Sequence, residues 1–492
     1  MEAAYIRIIF GLKLKQIRTE KKLSLFGLSK LTNISKSYLN EIEKGKKYPK
    51  TDKIAVLSNS LDVSYDDMVS LKLDKNLAPL GEILQSNILK EIPLELFGIQ
   101  ESDLIDIISN APAKVNAFIS TLIEIAQNYN LSRESFFLAA LRSYQEAHNN
   151  YFEDIELAVK KFTKAYQINS TKKINSSDLK EILIEEFEYT ILKDGLKDYD
   201  NLKELRCIFI PKTKTLLLSN TIDESQITFI YAKEIAYNYM NLDERLYTFP
   251  WINFDSFDQV LNNFMASYFA GALIIPKKAI EKQLTRFFKL ESWDAAVFNK
   301  MITKFTDSPE TYLQRLTNIL PKSFNLKNLF FIRFTNKIGQ TRYHLSKELH
   351  ITQQQPPHAN EVHEHYCRRW ISIHTFNGLK NDPENPIKTD LQISFYPENN
   401  SSYLVITSAT SDPFKEKHNR SISIGLLIST QLKNKLQFLK DENIITKHVG
   451  VTCERCAIKN CDERVSEATE LIKATKHAEI EMAVMEIIQK FS

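Results

Sequence analysis

The stretch that decides the fold is Leu23–Pro49, LSLFGLSKLTNISKSYLNEIEKGKKYP. Apolar residues recur at helical spacing on both sides of a short polar joint at 32–34, which predicts two helices set at an angle. Ser24 and Ser35 each precede an apolar run, where a helix N-cap belongs. Gly45 follows the second run as its expected C-terminal stop. This pattern predicts a helix-turn-helix whose second helix enters the major groove of duplex DNA.

The residues around this stretch complete a small helical unit. The predicted apolar residues of the two helices are Leu25, Leu28, Leu31, Tyr38, Leu39 and Ile42. A preceding helix over 5–22 is expected to turn Lys13 and Arg18 outward. Ile54, Leu57 and Leu61 repeat at helical spacing, and a capped last helix is expected over 64–68.

Basic charge is concentrated in the same region. Residues 1–53 contain 13 Lys and Arg against 5 Asp and Glu, a net charge of +8, whereas the whole chain carries only +3. Positive charge localised in this way favours attraction to phosphate over a general role in solubility. The alternative is a small helical bundle with a solvated lysine face.

The runs YLNEIEKGKKYP and LSNSLDVSYDDM closely resemble the lambda-repressor-like helix-turn-helix of the XRE (Cro/repressor-like) family. The resemblance implies a DNA-contacting set of Lys36, Ser37, Tyr38, Asn40, Lys44, Lys46 and Lys47. In it, Lys36, Ser37 and Asn40 face base edges, and asparagine suits paired hydrogen bonds with adenine. The three later lysines lie near phosphates. The family usually has glutamine where this chain has Leu25, which removes one expected phosphate contact.

The 492 residues are too many for one compact core, and composition is ordinary for a globular protein. We expect a mainly α fold with α+β C-terminal domains, divided into 1–72, 79–170, 176–320 and 325–492. The second range is predicted to be a helical linker or dimerisation region. No apolar run has membrane-spanning length and no signal peptide is evident, so a cytoplasmic location is expected. Five cysteines do not suggest a disulfide framework.

The middle of the chain changes from helical to mixed structure. The segment 139–156 is predicted to be one long helix, either a dimerisation helix or a plain packing helix. RCIFIPKTKTLLLSN (206–220) is typical of a β-hairpin, and helices are expected over 227–242 and 257–280.

This order resembles the ImmA/IrrE metallopeptidase-like domain, whose zinc helix reads H-E-x-x-H. The matching residues here are Lys233, Glu234 and Tyr237, and the third ligand position falls on Asn263. Neither a protonated lysine nor a phenol or amide is a normal zinc ligand, so we expect no peptidase activity. The residues Phe249, Trp251, Phe254, Phe264, Tyr268 and Phe269 would line a pocket suited to an acyl chain or, equally, form plain core.

The C-terminal third, with strands expected over 328–334, 390–395 and 403–407, carries the sharpest chemical signal. In VTCERCAIKNCDERV, Cys453, Cys456 and Cys461 follow C-x₂-C-x₄-C, which predicts a metal or cluster site in a reducing cytoplasm. Cys367 is the expected fourth ligand, because Cys207 lies inside an apolar strand run. Spacing alone favours structural zinc and leaves iron–sulfur open. His363, His365 and His374 are further possible ligands, although each is more readily explained by surface or packing roles.

Nearly the whole chain resembles the short-chain fatty acyl transcriptional regulators. The resemblance rests on Cys367-Arg368-Arg369-Trp370 and on Cys453-Glu454-Arg455-Cys456 with Cys461-Asp462-Glu463-Arg464, although Ser466 and Glu467 depart from the family's tail. It implies a homodimeric, DNA-binding regulator that senses a short-chain acyl-CoA, with a four-iron (4Fe-4S) cluster on the four cysteines. Two alternatives stay open: a zinc peptidase acting on a partner repressor, and a ligand-independent, toxin–antitoxin-type repressor.

Overall fold

The structure is a computed structural model that describes residues 2–70, 133–246, 254, 256–351, 364–379, 386–412, 415 and 417–491. The chain divides into two compact units, Met1–Tyr144 with Phe254–Phe257, and Gln145–Asn253 with Asp258–Ser492. The linker expected at 72–79, most of the predicted helical region that follows it, and Phe249, Trp251 and His363 lie outside the described residues.

The N-terminal part of the first unit is a five-helix bundle. Its helices are α1 (Glu2–Glu20), α2 (Leu25–Thr32), α3 (Lys36–Glu43), α4 (Thr51–Ser60) and α5 (Tyr65–Val69). The hydroxyls of Ser24 and Ser35 accept hydrogen bonds from the backbone N–H groups of Gly27 and Tyr38, as predicted. Asn33 ends α2 at a φ of 53°, a conformation that asparagine tolerates well. The predicted helix-turn-helix geometry is therefore present.

Two expectations about this bundle were wrong. Leu31 is 57% exposed, because the bundle packs on the neighbouring face of α2 that presents Leu28. Lys13 is only 8% exposed, and its Nζ donates to the carbonyls of Asp67 and Ser70 at 2.8 and 2.7 Å. Its ammonium group therefore caps the last helix of the bundle and does not face solvent.

Gly11 allows α1 to lie directly against the end of α3. A Cβ atom at this position would stand 2.3 Å from the carbonyl oxygen of Ile42. We expect Gly11→Ala to destabilise the bundle by about 1–3 kcal/mol, because backbone atoms cannot yield to the added methyl group. Amide hydrogen exchange of residues 2–70 measures this loss. Gly27→Ala is the matched control, since its nearest neighbour would be the Ser24 hydroxyl at 3.4 Å; equal exchange in the two variants would contradict the prediction.

Eight helices lie between the bundle and the C-terminal sheet within the described residues. They are α6 (Arg133–Ala147), α7 (Glu153–Ala165), α8 (Ser176–Glu185), α9 (Glu224–Tyr239), α10 (Phe257–Ile274), α11 (Lys277–Phe287), α12 (Ala295–Thr303) and α13 (Pro309–Phe324). Helix α9 begins at a capping box formed by Asp223 and Gln226. Pro276 separates α10 from α11, so the predicted helix over 257–280 is two helices.

The predicted single helix over 139–156 is interrupted. Asn149 and Asn150 have φ angles of 49° and 51°, which ends α6 before α7 begins. Asn150 is buried, and its side chain donates to Thr317 at 2.8 Å while its carbonyl accepts from Asn318 at 2.9 Å. These long-range hydrogen bonds stabilise the break, and helical periodicity carried no sign of them.

The hairpin predicted at 206–220 is present as β2 (Cys207–Ile210) and β3 (Thr215–Leu218), which pair antiparallel. A third strand that the sequence did not indicate, β1 (Thr190–Leu192), pairs parallel with β3. The order in this small sheet is β1-β3-β2.

The C-terminal region is organised by a six-stranded sheet of order β5-β4-β8-β7-β6-β9. Its strands are β4 (Leu329–Lys337), β5 (His344–His350), β6 (Lys388–Tyr396), β7 (Ser401–Ser411), β8 (His418–Leu427) and β9 (Thr446–His448). All neighbours are antiparallel except β6 and β9. Helices α12 and α13 contact this sheet, as does a short helix, α14 (Ile371–His374), which shares a core cluster with Phe330 and Ile332.

Two helices complete the described chain, α15 (Thr430–Lys435) and the long α16 (Thr469–Phe491). Large apolar side chains of α16 are exposed to solvent; they are Ile472, Ile480, Met482, Val484, Met485 and Ile487. No helix among the described residues is both long and apolar enough to cross a membrane.

Candidate functional site

The face of α3 that points away from the bundle core carries the predicted base-contacting residues. Lys36, Ser37 and Asn40 are exposed, whereas Leu39 and Ile42 on the other face are fully buried. Lysine can donate to the acceptors of guanine, and asparagine can both donate to and accept from adenine. The helix therefore presents hydrogen-bonding groups of the kind that read a major groove.

The lysines after α3 stand in three different environments. Lys46 is exposed and Lys44 is half-buried. The Nζ of Lys47 lies 2.9 Å from a carboxylate oxygen of Glu41 and 5.8 Å from the ring centre of Tyr38. To bind a phosphate, Lys47 must therefore give up its contact with Glu41. Lys46 can bind a phosphate without giving up such a contact.

A buried ion pair fixes the end of α3 to α1. Arg18 Nε lies 2.6 Å from Glu43 Oε1, and Arg18 Nη2 lies 2.9 Å from Glu43 Oε2. The hydrogen bond to Glu43 raises the pKa of Arg18, which keeps the guanidinium charged. Arg18 was expected to face solvent; it orients the exposed face of α3 instead.

The positions that match a zinc helix lie together in the second unit. The Nζ of Lys233 is 2.6 Å from the side-chain oxygen of Asn263, and the hydroxyl of Tyr237 is 3.5 Å from the same atom. The buried carboxylate of Glu234 accepts hydrogen bonds from Arg245 at 2.6 Å and from Tyr189 at 2.9 Å. The positions compared above with zinc ligands therefore hold an ammonium group bonded to an amide, and Glu234 is already engaged by a cation.

Burial lowers the pKa of Lys233 to about 8. Between about pH 8 and 10.5 the unfolded chain then binds a proton that the folded chain has released, so this residue makes the free energy of unfolding rise with pH. We expect the stability of the wild type relative to Lys233→Met to increase by up to about 3 kcal/mol across this range. Urea unfolding at several pH values measures it. If the free energies of unfolding of the two proteins differ by the same amount from pH 7.5 to 10.5, the pKa of Lys233 is not lowered by burial.

The aromatic residues predicted to line an acyl pocket are packed as core where the structure describes them. The Tyr268 hydroxyl donates to Glu156 at 3.0 Å, and the Phe264 ring contacts Phe152 edge-on at 5.3 Å. Phe254 and Phe269 are buried as well. These four side chains are therefore part of the packed core in the described structure.

Backbone pairing brings Cys367 alongside the first cysteine of the C-terminal motif. The N–H of Cys367 donates to the carbonyl of Val451 at 3.0 Å, and the N–H of Cys453 donates to the carbonyl of His365 at 2.9 Å. Burial raises the pKa of Cys367 to about 11, against smaller opposing hydrogen bonds from the backbone of Gly450 and Arg369. Cys367 and Cys453 therefore lie at one place in the fold.

Arg464 stabilises the cysteine loop through hydrogen bonds to its backbone. Its guanidinium donates to the carbonyls of Cys453, Cys456 and Ile458 at 2.7, 2.9 and 2.8 Å. The thiol of Cys456 packs on Gly450, where an added Cβ atom would lie 2.9 Å from its sulfur. Cys207 lies apart from this loop, on β2, and burial raises the pKa of its thiol to about 12. Cys453 and Cys456 in this loop are buried, as is Cys367, and Cys461 is half-exposed.

Within the described ranges, no three His, Cys, Asp or Glu side chains stand in an arrangement that could hold a metal ion. The four cysteines nevertheless share one region of the fold through the backbone contacts of Cys367, Cys453 and Arg464. Of the histidines suggested as further ligands, His365 is bonded through Nδ1 to Glu454 at 2.8 Å.

A cavity lies on the face of the six-stranded sheet that is covered by α14 and by the segment with Cys367. Its walls are Phe330, Ile332, Leu345, Glu348, His350, Tyr366, Trp370, Ile371, Ser372, Ser394, Tyr396, Val405 and Val451. Mostly apolar walls with a few polar groups are typical of a small-molecule site. No sequence signal marked it, because its walls come from six separate segments.

Residues 14–68 match the family model described as Helix-turn-helix. A solved chain described as a Mycobacterium tuberculosis transcriptional regulator is similar to this one, with 19% identity and a TM-score of 0.46 over 66% of this chain and 92% of that chain. No curated protein matches the sequence. The matched helices are those whose caps and turn are described above, so the chain carries an XRE-type helix-turn-helix, a DNA-binding unit, at its N-terminus.

Proposed function

We propose that this protein is a dimeric, sequence-specific regulator in the cytoplasm that reads duplex DNA with α3 and senses a short-chain acyl-CoA. The observation that carries the DNA-reading half is the exposed set Lys36, Ser37 and Asn40 on a helix locked in place by Arg18 and Glu43. The lysines that follow α3 supply contacts to the DNA backbone.

The experiment for this half is a binding titration of the full chain with fragments of its own genome. Fragments that the protein retains are sequenced, and the shared sequence is synthesised as a short duplex. The proposal expects tight binding to that duplex and much weaker binding to a scrambled one at the same salt concentration. Retention of all fragments alike would contradict sequence-specific reading.

The homodimer is supported by α16. Its apolar side chains, among them Ile480, Val484 and Ile487, are exposed along one helix. Several large apolar side chains exposed on one helix favour an interaction site, and a two-fold partner also suits a regulator that reads two half-sites. Ile480→Lys with Val484→Lys should convert the dimer to a monomer in analytical ultracentrifugation, whereas Lys473→Ala on the same helix should not. A monomeric wild type would refute this part.

Acyl-CoA sensing is supported by the family resemblance and by the cavity beside α14. An effector that binds one arrangement of the two DNA-binding bundles better than the other shifts their population, and with it the half-site spacing that the dimer accepts. The test is operator binding measured with and without acetyl-, propionyl- and butyryl-CoA, with free CoA as control. An operator affinity that no thioester changes would leave DNA reading intact but remove the sensing proposal.

We also propose a 4Fe-4S cluster held by Cys367, Cys453, Cys456 and Cys461, with structural zinc as the alternative. Its support is the C-x₂-C-x₄-C spacing together with the backbone pairing of Cys367 with Val451 and Cys453 with His365. Such a cluster, when bound, would supply redox chemistry, and the thiolates of these four cysteines would be its ligands. Protein purified without oxygen should be brown with about four iron atoms per chain, and Cys453→Ser should bleach it while Cys207→Ser should not. A colourless protein with one zinc would favour the alternative.

A zinc peptidase is the second candidate function, and the arrangement of Lys233, Asn263 and Glu234 speaks against it. Incubation with zinc and candidate repressors tests it directly. Cleavage that Glu234→Ala abolishes would establish the peptidase. A ligand-independent, toxin–antitoxin-type repressor is the third, and it requires that acyl-CoAs produce no thermal shift.

A further inference from the structure

Four cations surround one largely buried carboxylate where α13 meets the six-stranded sheet. The carboxylate belongs to Glu310, in the first turn of α13, and the cations, here called the basic cluster, are Arg206, Arg333, Lys347 and Arg420. Arg333 Nη1 lies 3.0 Å from both carboxylate oxygens, Lys347 Nζ lies 3.4 Å from one of them, and Arg420 Nη1 lies 3.9 Å from the other. Burial by itself would raise the pKa of Glu310, but the four cations together lower it.

The pairing of the strands places three members of the basic cluster on one face of the sheet. Arg333 on β4 is opposite Lys347 on β5, and Arg420 on β8 is opposite Thr335, two residues further along β4. Residues directly opposite each other, and residues two apart on one strand, share a face. Ile332 lines the cavity beside α14 and alternates with Arg333, so the basic cluster lies on the other face of the sheet and is separate from that cavity.

The basic cluster carries more positive charge than the carboxylates near it balance. Asp412 is the second carboxylate that acts on it, so within the described residues four cations face two carboxylates, a surplus of two positive charges. Burial lowers the pKa of Arg206; the carboxylates oppose this effect, and the like charges of Arg420 and Arg333 add to it. Cations held together with little water around them repel one another, so an anion bound among them would be favourable.

Three terminal guanidinium nitrogens of the basic cluster donate no hydrogen bond to the part of the chain that the structure describes. They are Nη2 of Arg333 and both Nη atoms of Arg420, whereas the two Nε atoms donate to Ser346 at 2.9 Å and to Thr410 at 3.3 Å. The side chain of Arg420 is only 9% exposed and that of Arg333 is 24% exposed. None of the three nitrogens is among the unpartnered polar atoms that solvent cannot touch, so a small ligand can reach them.

The donors and the charge surplus together favour a phosphate group as that ligand. Guanidinium groups bind the oxygens of phosphates and carboxylates through paired, charge-assisted hydrogen bonds. A phosphate monoester carries about −1.5 to −2 charges at neutral pH, which matches the surplus. A single carboxylate would leave one positive charge unbalanced.

We infer that the basic cluster binds a phosphate dianion, whose oxygens accept hydrogen bonds from the free Nη atoms of Arg333 and Arg420. Inorganic phosphate and a phosphate monoester share this chemistry. The bound group joins β4 to β8 beside the first turn of α13, so it stabilises this part of the second unit. The inference depends neither on acyl-CoA sensing nor on the cysteine site.

The test is a calorimetric titration of the full chain with inorganic phosphate and, separately, with AMP, at an ionic strength kept constant with chloride. Wild type should bind at least one of them. Arg420→Gln should weaken that binding about tenfold or more, as expected for a lost hydrogen bond to a charged group. Arg286→Gln, at an exposed position on α11, is the control and should bind as wild type does. Tighter binding of inorganic phosphate would identify the free ion as the ligand, and tighter binding of AMP a monoester.

A second variant keeps the test independent of any misfolding of Arg420→Gln. Arg333→Lys keeps the positive charge beside Glu310 but lacks the second terminal nitrogen. Millimolar phosphate should raise the Tm of wild type, because a ligand stabilises the state that binds it, and should raise that of Arg333→Lys less. General salt effects of phosphate act on both proteins alike. No binding of either ligand by wild type, or equal shifts in Tm for the two proteins, would overturn the inference.

Discussion

Lys36→Ala combined with Asn40→Ala should weaken binding to the operator about a hundredfold or more, while binding to a scrambled duplex changes little. Both residues lie on the exposed face of α3, and each good contact to a base edge contributes about 1–3 kcal/mol of discrimination. Fluorescence anisotropy with the two duplexes at the same salt concentration measures both affinities.

Lys46→Ala provides the contrast to this double variant. A phosphate contact carries no sequence information. Its removal should therefore weaken binding to both duplexes by the same factor, and should reduce the slope of log affinity against log salt concentration by about one. Lys161→Ala, at an exposed position on α7 in the other unit, is the matched control and should change nothing. If the double variant loses the same factor of affinity for the operator and for the scrambled duplex, then α3 does not recognise the base sequence.

Glu156→Ala should destabilise the second unit by about 3–5 kcal/mol, the cost of leaving a buried charge without its partner. Arg315 is 1% exposed, and its two terminal nitrogens lie 2.7 and 3.0 Å from the carboxylate oxygens of Glu156. Its Nε donates to the carbonyl of Ile275, so the pair also ties α7 and α13 to the end of α10. Tryptophan fluorescence during urea unfolding reports this unit, since Trp293 and Trp370 belong to it.

Glu153→Ala is the control for this prediction. Glu153 lies on the same helix, 59% exposed, with Lys322 at 4.0 Å. An exposed pair contributes less than about 1 kcal/mol. A Glu156→Ala protein no less stable than Glu153→Ala would show that the buried pair does not hold the helices together.

Local signals were sufficient to predict the helix-turn-helix. Ser24, Ser35 and Gly45 act on their own helix ends, and their hydrogen bonds join residues a few positions apart. Such short-range interactions depend little on the rest of the fold. The exposed and buried faces of α3 follow from the same periodicity.

Where the predicted environment of a residue was wrong, tertiary contacts were the reason. Lys13 and Arg18 look like solvent-facing cations, but their partners are carbonyls 54 and 57 positions away and a carboxylate 25 positions away. Asn150 ends a helix because of hydrogen bonds to residues on α13. Charge pattern and periodicity in one segment contain no information about such distant partners.

The candidate cavity was beyond prediction for the same reason. Phe264, Tyr268 and Phe269 were expected to line a pocket or form core, and they are buried against neighbouring side chains. Trp370 and His350 come together only when β5 joins the sheet edge and the segment before α14 pairs with residues after β9. The sequence identified the cysteine motif beside this cavity, but not the cavity.

The most direct test of the central claim is the specificity ratio of the full chain on its own enriched operator. The measurement is the affinity for that duplex divided by the affinity for a scrambled duplex, at physiological salt. A helix-turn-helix that reads bases through α3 predicts a ratio of about a thousand or more. A ratio near one would contradict the account, because binding would then come from phosphate attraction alone.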